Sequence, residues 1–407
     1  MTDATEPNTI TITGYAEARL AYRQKDLRQA LYDAGEVIMS DVIVNLHGDE
    51  HRARRRLENR LYRRETFVEY ERSLFPGIIA TTMEPHIATG RAELVGLAHQ
   101  LMMNLAALTA GVDRRAGTAE ETLHLYSYLT TFIEGATLAH YTGDRDAKRS
   151  EVQAALERFD EEFLAPGIER RQRLLAQLDA GEITEDALPR DVLTVLLRNT
   201  DKLPLEHETL RREIAFYLLA GAHTSATAFT RVTHNIIEWL SAHPEDAERA
   251  RTDPLFVQQC SHETVRLQPS SPVAMRWALA DIDLETGTHI SKGDKVVIDL
   301  LSVNRDAAVF GPDADEFRPG RELPDGVAPY GLSFGLGMHA CIGQDLAAGM
   351  EFRQGDDLDG HLFGLVPQAV QYLFDHGCVG DVDDPPEMDP STTRPYFGRY
   401  PVVFKTR

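Results

Sequence analysis

Phe334-Gly335-Leu336-Gly337-Met338-His339-Ala340-Cys341-Ile342-Gly343 is the stretch from which the rest of the chain is read. One cysteine sits in it among three glycines and apolar neighbours, ahead of the helix-forming run Asp345-Leu346-Ala347-Ala348. Glycine at this density lets a backbone turn sharply and approach a flat ligand closely, which side chains would forbid. A cysteine held just before a helix meets peptide dipoles and N–H groups that stabilise a thiolate. That setting suits a soft sulfur ligand to iron better than it suits half of a disulfide.

Working outward, the 407-residue chain is long enough to bury a sizeable core, and its 26% charged content is ordinary for a soluble globular protein. A formal net charge of −22 argues against nucleic acid and anionic membranes as partners. Cys260, Cys341 and Cys378 form an odd, sparse set that speaks against a disulfide scaffold and for a reducing compartment. Met1 to Pro7 shows neither a basic nor an apolar leader region, and the longest apolar run, Ile214 to Ala222, is too short to cross a bilayer. A soluble, cytoplasmic protein is expected.

Gly-x-Gly alone is a common pattern. The longer string Phe-Gly-x-Gly-x-His-x-Cys-x-Gly at 334–343 resembles the haem-binding loop of the cytochrome P450 family. Three further motifs fall in the family's order: Ala220-Gly221-Ala222-His223-Thr224, the Glu-x-x-Arg of Glu263 and Arg266, and Phe317-Arg318-Pro319-Gly320-Arg321. The resemblance spans roughly Thr9 to Phe404. It implies one mainly α domain with small β-sheets over residues 1–407, α-rich at about 66–270 and 335–376, β-rich at about 9–14, 273–303 and 394–405. It further implies haem b held between a central helix and the Cys341 loop. Cys341 is then the iron ligand, with Phe334, Gly335 and Gly343 shaping the loop against the cofactor. The implied activity is a monooxygenase inserting one atom of O2 into an apolar small molecule, with electrons from NAD(P)H arriving through a reductase and a ferredoxin.

Taken in order, Thr9 to Thr13 reads as a short strand and Tyr15 to Gln24 as a helix. The chain begins late compared with the resembled family, which leaves the N-terminal sheet open. Leu31 to Leu46 contains Ile38 and Met39 among apolar residues without a clean period and reads as a loop covering a pocket. His51 to Arg64 carries seven arginines, with Leu57 and Leu61 on one face, and reads as one charged helix. The resemblance assigns His51 and Arg55, in His-x-x-x-Arg spacing, to the haem propionates. In so acidic a chain this patch suits docking of an acidic ferredoxin-type donor; a plain solvated helix is the alternative. Thr66 to Gly111 reads as helices, with Thr118 to Ala139 and Ser150 to Leu178 as two more that the resemblance makes a lid over the substrate. Pro166 and Gly167 are expected to break or bend the second of these. Arg190 to Asn199 reads as a shorter helix.

From Glu208 to about Leu240 the chain is apolar on nearly every face between Ile214 and Ala228, the pattern of a buried central helix. By resemblance, Gly221 lets dioxygen approach the backbone, while the Thr224 hydroxyl can bond back to Ala220 and open the helix. Where the family carries an acid beside the threonine, this chain has His223. Either His223 and Thr224 form a proton relay, or His223 is a core histidine and water carries protons past Thr224. The resemblance also makes Glu263, Arg266 and Arg321 a buried charged network that positions the thiolate loop, and Arg276 and His339 further propionate contacts. Phe216, Leu219, Pro272, Val273 and Ala274, with Ile38 and Met39, suggest an apolar pocket suited to a terpenoid, steroid, polyketide or aromatic. A peroxide-driven peroxygenase and a non-enzymatic haem sensor are the rival readings. Past the cysteine, Arg353 to Gly360 interrupts the helix that begins near Gln344, a second helix runs from Pro367 to Phe374, and Arg394 to Phe404 reads as terminal strands.

Overall fold

Thr9–Ile12 lies parallel to Lys295–Asp299 at one edge of a four-stranded sheet, followed by Val273–Ala278 and Leu27–Gln29. In the computed structural model, which describes residues 8–353, 355–390 and 395–405, this sheet belongs to the first of two units. The first unit comprises Met1–Leu31 and Arg231–Gln371; the second comprises Tyr32–Thr230 and Tyr372–Arg407.

In the first unit the strand Lys295–Asp299 alternates, with Val296 and Ile298 fully buried and their neighbours partly exposed, the signature of a sheet with one face on a core. Those two residues join Ile12, Ala18, Leu27, Leu300, Phe310 and Leu332 in one apolar cluster. Burying each large side chain contributes roughly 1.5–3 kcal/mol. Both N-terminal strands pair within this sheet, which the sequence left open. The helix Pro254–Leu267 starts with proline at its first position, and Asp253 caps it by accepting the N–H groups of Leu255 and Phe256.

The helix after the cysteine, Gln344–Ala348, has only five residues and stops at Gly349, whose φ of 77° ends it; the interruption begins four residues earlier than expected. The chain then makes an excursion and returns at Gly364, with the Met350 N–H donating to Leu362. Both feet of this excursion rest on the helix Pro254–Leu267. The Gln258 amide lies 3.0–3.3 Å from the carbonyls of Ala348, Met350, Leu362 and Phe363 and receives His361 on its oxygen, while His262 lies 2.9 Å from the Ala348 carbonyl. The following helix is Leu365–Asp375.

The second unit is built from helices, among them Leu94–Ala110, Ala119–Ala136 and the paired runs Arg145–Phe159 and Ala165–Asp179, with the sheet Arg91–Glu93, Pro401–Phe404, Cys378–Gly380 beside them. Side-chain caps start several of them: Glu93, Thr118 and Asp144 each accept backbone N–H groups of the first turn. Pro166 does not break its helix, because the wide turn Asp160–Leu164 just before it absorbs the missing N–H donor. The helical run expected over Thr66–Gly111 is divided at Gly90 (φ 74°) and by the strand Arg91–Glu93. Leu31–Leu46 includes the one-turn helix Glu36–Met39, with Ile38, Met39 and Val42 fully buried. The arginine-rich stretch is likewise two helices, Gly48–Glu58 and one starting at Arg64. Arg394 lies outside the described residues. Among the described residues, no helix is long and apolar enough to cross a membrane.

Candidate functional site

In the first unit, Gly335 and Gly337 take φ values of 65° and 70°, the left-handed region that favours glycine. At Gly337 a Cβ would meet the Tyr22 carbonyl oxygen at 2.4 Å, so the loop can lie this close to Tyr22 only without a side chain there. The loop closes on itself where the Cys341 N–H donates to the Phe334 carbonyl at 2.8 Å. Cys341 is exposed, His339 half-buried, and Phe334 stands edge-on to Tyr330. With the following helix cut to five residues, dipole support for a thiolate is confined to the N–H groups of a single turn.

A buried framework fixes this loop from behind. Arg266, with no solvent exposure, donates two hydrogen bonds of 2.7 Å to the Glu263 carboxylate and two more to the carbonyls of Asn304 and Ala314. Arg321 donates to Glu263 Oε1 and to Asp313, and the Arg318 N–H also reaches Glu263. The structure thus brings Glu263, Arg266 and Arg321 together. Asn304 carries their position forward: its amide donates to the Arg266 carbonyl and to Ser333, and its oxygen accepts the Leu332 N–H. Buried ionic groups of this kind are tolerable only because each lone pair and N–H has a partner. In the same unit Arg276 is buried, donates to Gln29 Oε1 at 2.6 Å and lies over the Tyr22 ring; Pro272, Val273 and Ala274 are half-buried.

In the second unit, the Thr224 hydroxyl donates to the Ala220 carbonyl at 2.7 Å, diverting an acceptor of the central helix His207–Ala242 at Gly221. Thr224 is exposed, and a Cβ on Gly221 would sit 3.3 Å from Ala106 of the neighbouring helix. His223 presents its ring to the edge of Tyr396, centroids 6.1 Å apart. Phe216 is half-buried, while Leu219, Ile38 and Met39 are buried. His51 is buried, and burial together with the nearby charges of Arg55, His47 and Arg52 pushes its imidazole down to about 4; Arg55 is half-buried.

Sequence reasoning missed the residues that face the inner side of the arginine helix. Arg54 donates to Glu213 at 2.7 Å, the Ile43 N–H donates to both Glu213 oxygens, and Tyr217 donates to Glu58, all of them buried. One guanidinium therefore faces two carboxyl groups. Burial and the charge of Glu58 hold the Glu213 carboxyl well above the usual range, and burial pushes Glu58 up to about 7 against the opposing pull of Tyr217, Arg54 and Arg55. The only signal in the sequence was the spacing of His51, Arg54 and Glu58, which shares one helical face.

The donor chemistry fits haem bound through sulfur. Cys260 and Cys378 are buried, with burial pushing the Cys378 thiol up to about 12 and Cys260 well above its ordinary value, which leaves Cys341 as the cysteine able to meet a ligand. Cationic and hydrogen-bonding side chains suited to carboxylates are present in His339, Arg276, His51 and Arg55.

A sequence model of the family described as cytochrome P450 matches residues 146–353, half of the chain. The chain belongs to the cytochrome P450 family. Members of this family carry haem b. Among curated P450 relatives, the bifunctional cytochrome P450/NADPH–P450 reductase 2 of Bacillus subtilis is 30% identical over 176 residues, covering 39% of this chain and 17% of that protein. The mycinamicin VIII C21 methyl hydroxylase of Micromonospora griseorubida is 28% identical over 270 residues, 64% of this chain and 62% of that one. Both matches fall short of two thirds of the relative's own length. Of solved P450 structures, retinoic acid bound cyanobacterial CYP120A1 aligns with a TM-score of 0.74 at 18% identity, over 98% of this chain and 90% of that one. CalO2 aligns with a TM-score of 0.72 at 18% identity, over 97% and 90%. These structures share the mainly helical fold with small sheets.

Proposed function

We propose that this P450 is a cytoplasmic haem-thiolate monooxygenase that inserts one oxygen atom of O2 into an apolar small molecule, using NAD(P)H-derived electrons delivered by a reductase and a ferredoxin. The observation that carries this reading is the exposed Cys341 at the end of a loop held from behind by Asn304 and the buried Glu263, Arg266 and Arg321. Cys341 would be the iron's sulfur ligand, His339, Arg276, His51 and Arg55 would hold the propionates, and Phe334, Gly335 and Gly343 would shape the loop against the cofactor. When bound, haem supplies oxygen activation and one-electron chemistry, which an anionic sulfur ligand favours.

The chain's own residues do the rest. The Thr224 hydroxyl holds a proton at Oγ beside Gly221, and the carbonyl it captures at Ala220 supports a local opening of the helix for O2 and water. His223 can receive a proton and pass it on, and the edge of Tyr396 supports a fixed ring orientation. Phe216, Leu219, Pro272, Val273, Ala274, Ile38 and Met39 orient an apolar substrate and keep water away from it. Arg52, Arg56, Arg60, Arg63 and Arg64 remain exposed, which supports electrostatic docking of an acidic ferredoxin on 51–64; its rate should fall with salt.

The deciding experiment is the spectrum of the reduced, carbon monoxide-treated protein in wild type and Cys341→Ser, followed by NAD(P)H-dependent turnover with a surrogate ferredoxin and reductase. A red-shifted band lost in Cys341→Ser, with substrate-dependent product, supports the reading; no haem, or a band that survives the substitution, refutes it. A peroxide-driven reaction is favoured by one feature, His223 at the position of the family's acid, and turnover with peroxide but none with ferredoxin would establish it.

A further inference from the structure

None of the residues assigned above belongs to a group of arginines elsewhere in the second unit. A cavity of about 470 Å³ opens between the turn after the helix Leu94–Ala110 and the first turns of the helix Ala165–Asp179. Asp113, Arg114, Arg115, Glu169, Arg170 and Arg173 line it. The turn is anchored by Arg171, which is 2% exposed and donates to Asp113, to Asp191 at 2.6 Å and to the Gly167 carbonyl at 3.1 Å.

Of the two carboxylates that line the cavity, Asp113 is already engaged and Glu169 is exposed. Asp113 accepts from Arg171 and, at 2.9 Å, from Arg170. Glu169 approaches Arg173 only to 3.9 Å, beyond hydrogen-bond reach. Nearby Glu121 accepts the backbone N–H groups of Arg115, Ala116 and Gly117 at 2.8–2.9 Å, which shapes the turn and occupies its oxygens.

Arg114 stands apart. Its guanidinium donates to Asn104 and to Thr122, both neutral, and among the described residues no carboxylate lies within ion-pair distance of it. Burial lowers its pKa, and the more distant Glu121 only partly offsets that. Arg114 is half-buried with neutral hydrogen-bond partners, so an anion in the cavity would supply the close counter-charge it lacks among the described residues. Four arginines line the cavity, and although Arg114 and Arg170 each already spend N–H donors on Asn104, Thr122 and Asp113, a guanidinium has further donors that phosphate oxygens accept. The cavity is in the size range of small-ligand sites, roughly 300–1,000 Å³, and the four arginines among its lining residues suit a charged group. A chain of net charge −22 repels anions in general, so the local excess of arginine is not a property of the surface at large.

We infer that this cavity is a binding site for a phosphorylated small molecule carrying at least two negative charges. The test is calorimetric titration of the haem-loaded full chain with inorganic pyrophosphate at constant ionic strength. One saturable site is expected, weakened roughly tenfold or more in the double variant Arg115→Gln/Arg173→Gln and lost in Arg114→Gln. Arg115 and Arg173 are exposed, and among the described residues Arg173 has only its distant approach to Glu169, so the double variant keeps the fold and decides the matter even if Arg114→Gln does not fold. Absence of saturable binding overturns the inference. So does equal binding to wild type and double variant, or an equal response to sodium sulfate at the same ionic strength, which marks general screening.

Discussion

Arg54 and Glu213 meet at 2.7 Å with 3% and 0% of their side chains exposed, and the same guanidinium, together with Arg55, is set against a second buried carboxyl, Glu58. Removing the guanidinium leaves Glu213 without its ion-pair partner and Glu58 with the charge of Arg55 alone. Arg54→Met is therefore expected to lower stability by about 3–5 kcal/mol. Urea denaturation of wild type and variant measures it; a loss below about 1 kcal/mol would show that the pair is not the keystone of this helix contact.

The same cluster sets a pH dependence. Glu58 is pushed up to about 7 in the folded chain from an ordinary value of 4.5, so its contribution is fully present below about pH 4.5 and is lost as pH rises through 7. Glu58→Gln, which keeps an acceptor for Tyr217, removes that loss and is expected to raise stability at pH 8 by on the order of 1–3 kcal/mol. His51 works in the opposite sense: its lowered value makes its contribution present above pH 6.5 and lost as pH falls through 4. Melting temperatures from pH 5 to 8 should therefore show a flatter alkaline limb in Glu58→Gln; an unchanged profile would count against a buried proton.

Gly337→Ala places a methyl group 2.4 Å from the Tyr22 carbonyl at a φ of 70°. Backbone must move, at a cost of about 1–3 kcal/mol, and it moves in the loop that presents Cys341. Haem content per polypeptide after expression should fall, while Gly343→Ala, where nothing lies within 4 Å, should be much milder. Equal haem content in the two variants would contradict this account.

Thr224→Val removes the hydroxyl that holds the Ala220 carbonyl while preserving shape. Product formed per NAD(P)H consumed should drop several-fold, with haem binding intact. His223→Ala should lower the same ratio, and Tyr396→Ala by a smaller factor, if the ring is held by that contact. Coupling that survives His223→Ala would take the imidazole out of the proton route.

What the sequence made legible was local. The loop at 334–343, the Glu-x-x-Arg pair and the segment around Thr224 each announce themselves over a few residues, because glycine freedom, helical spacing and a helix-bonding hydroxyl are short-range effects. The buried acids were invisible because Glu58 and Glu213 are far apart in the chain and each sits among charged neighbours that look solvated. Arg54 was counted with a surface patch for the same reason. The early end of the helix at Ala348 was equally hidden. Gly349 ends the helix, but whether a glycine stops a helix there is decided by Gln258 and His262, which hold the freed carbonyls from another part of the chain.

Gln258 and His262 also divide the excursion 349–364 into two fixed feet and an exposed tip at Asp356, Asp357, Leu358 and Asp359. A change at the tip is expected to be held at those feet rather than passed on to the Cys341 loop. This makes the tip a natural splice point: an affinity tag, a fluorophore or a tethered electron donor can be grafted there with the cysteine left undisturbed.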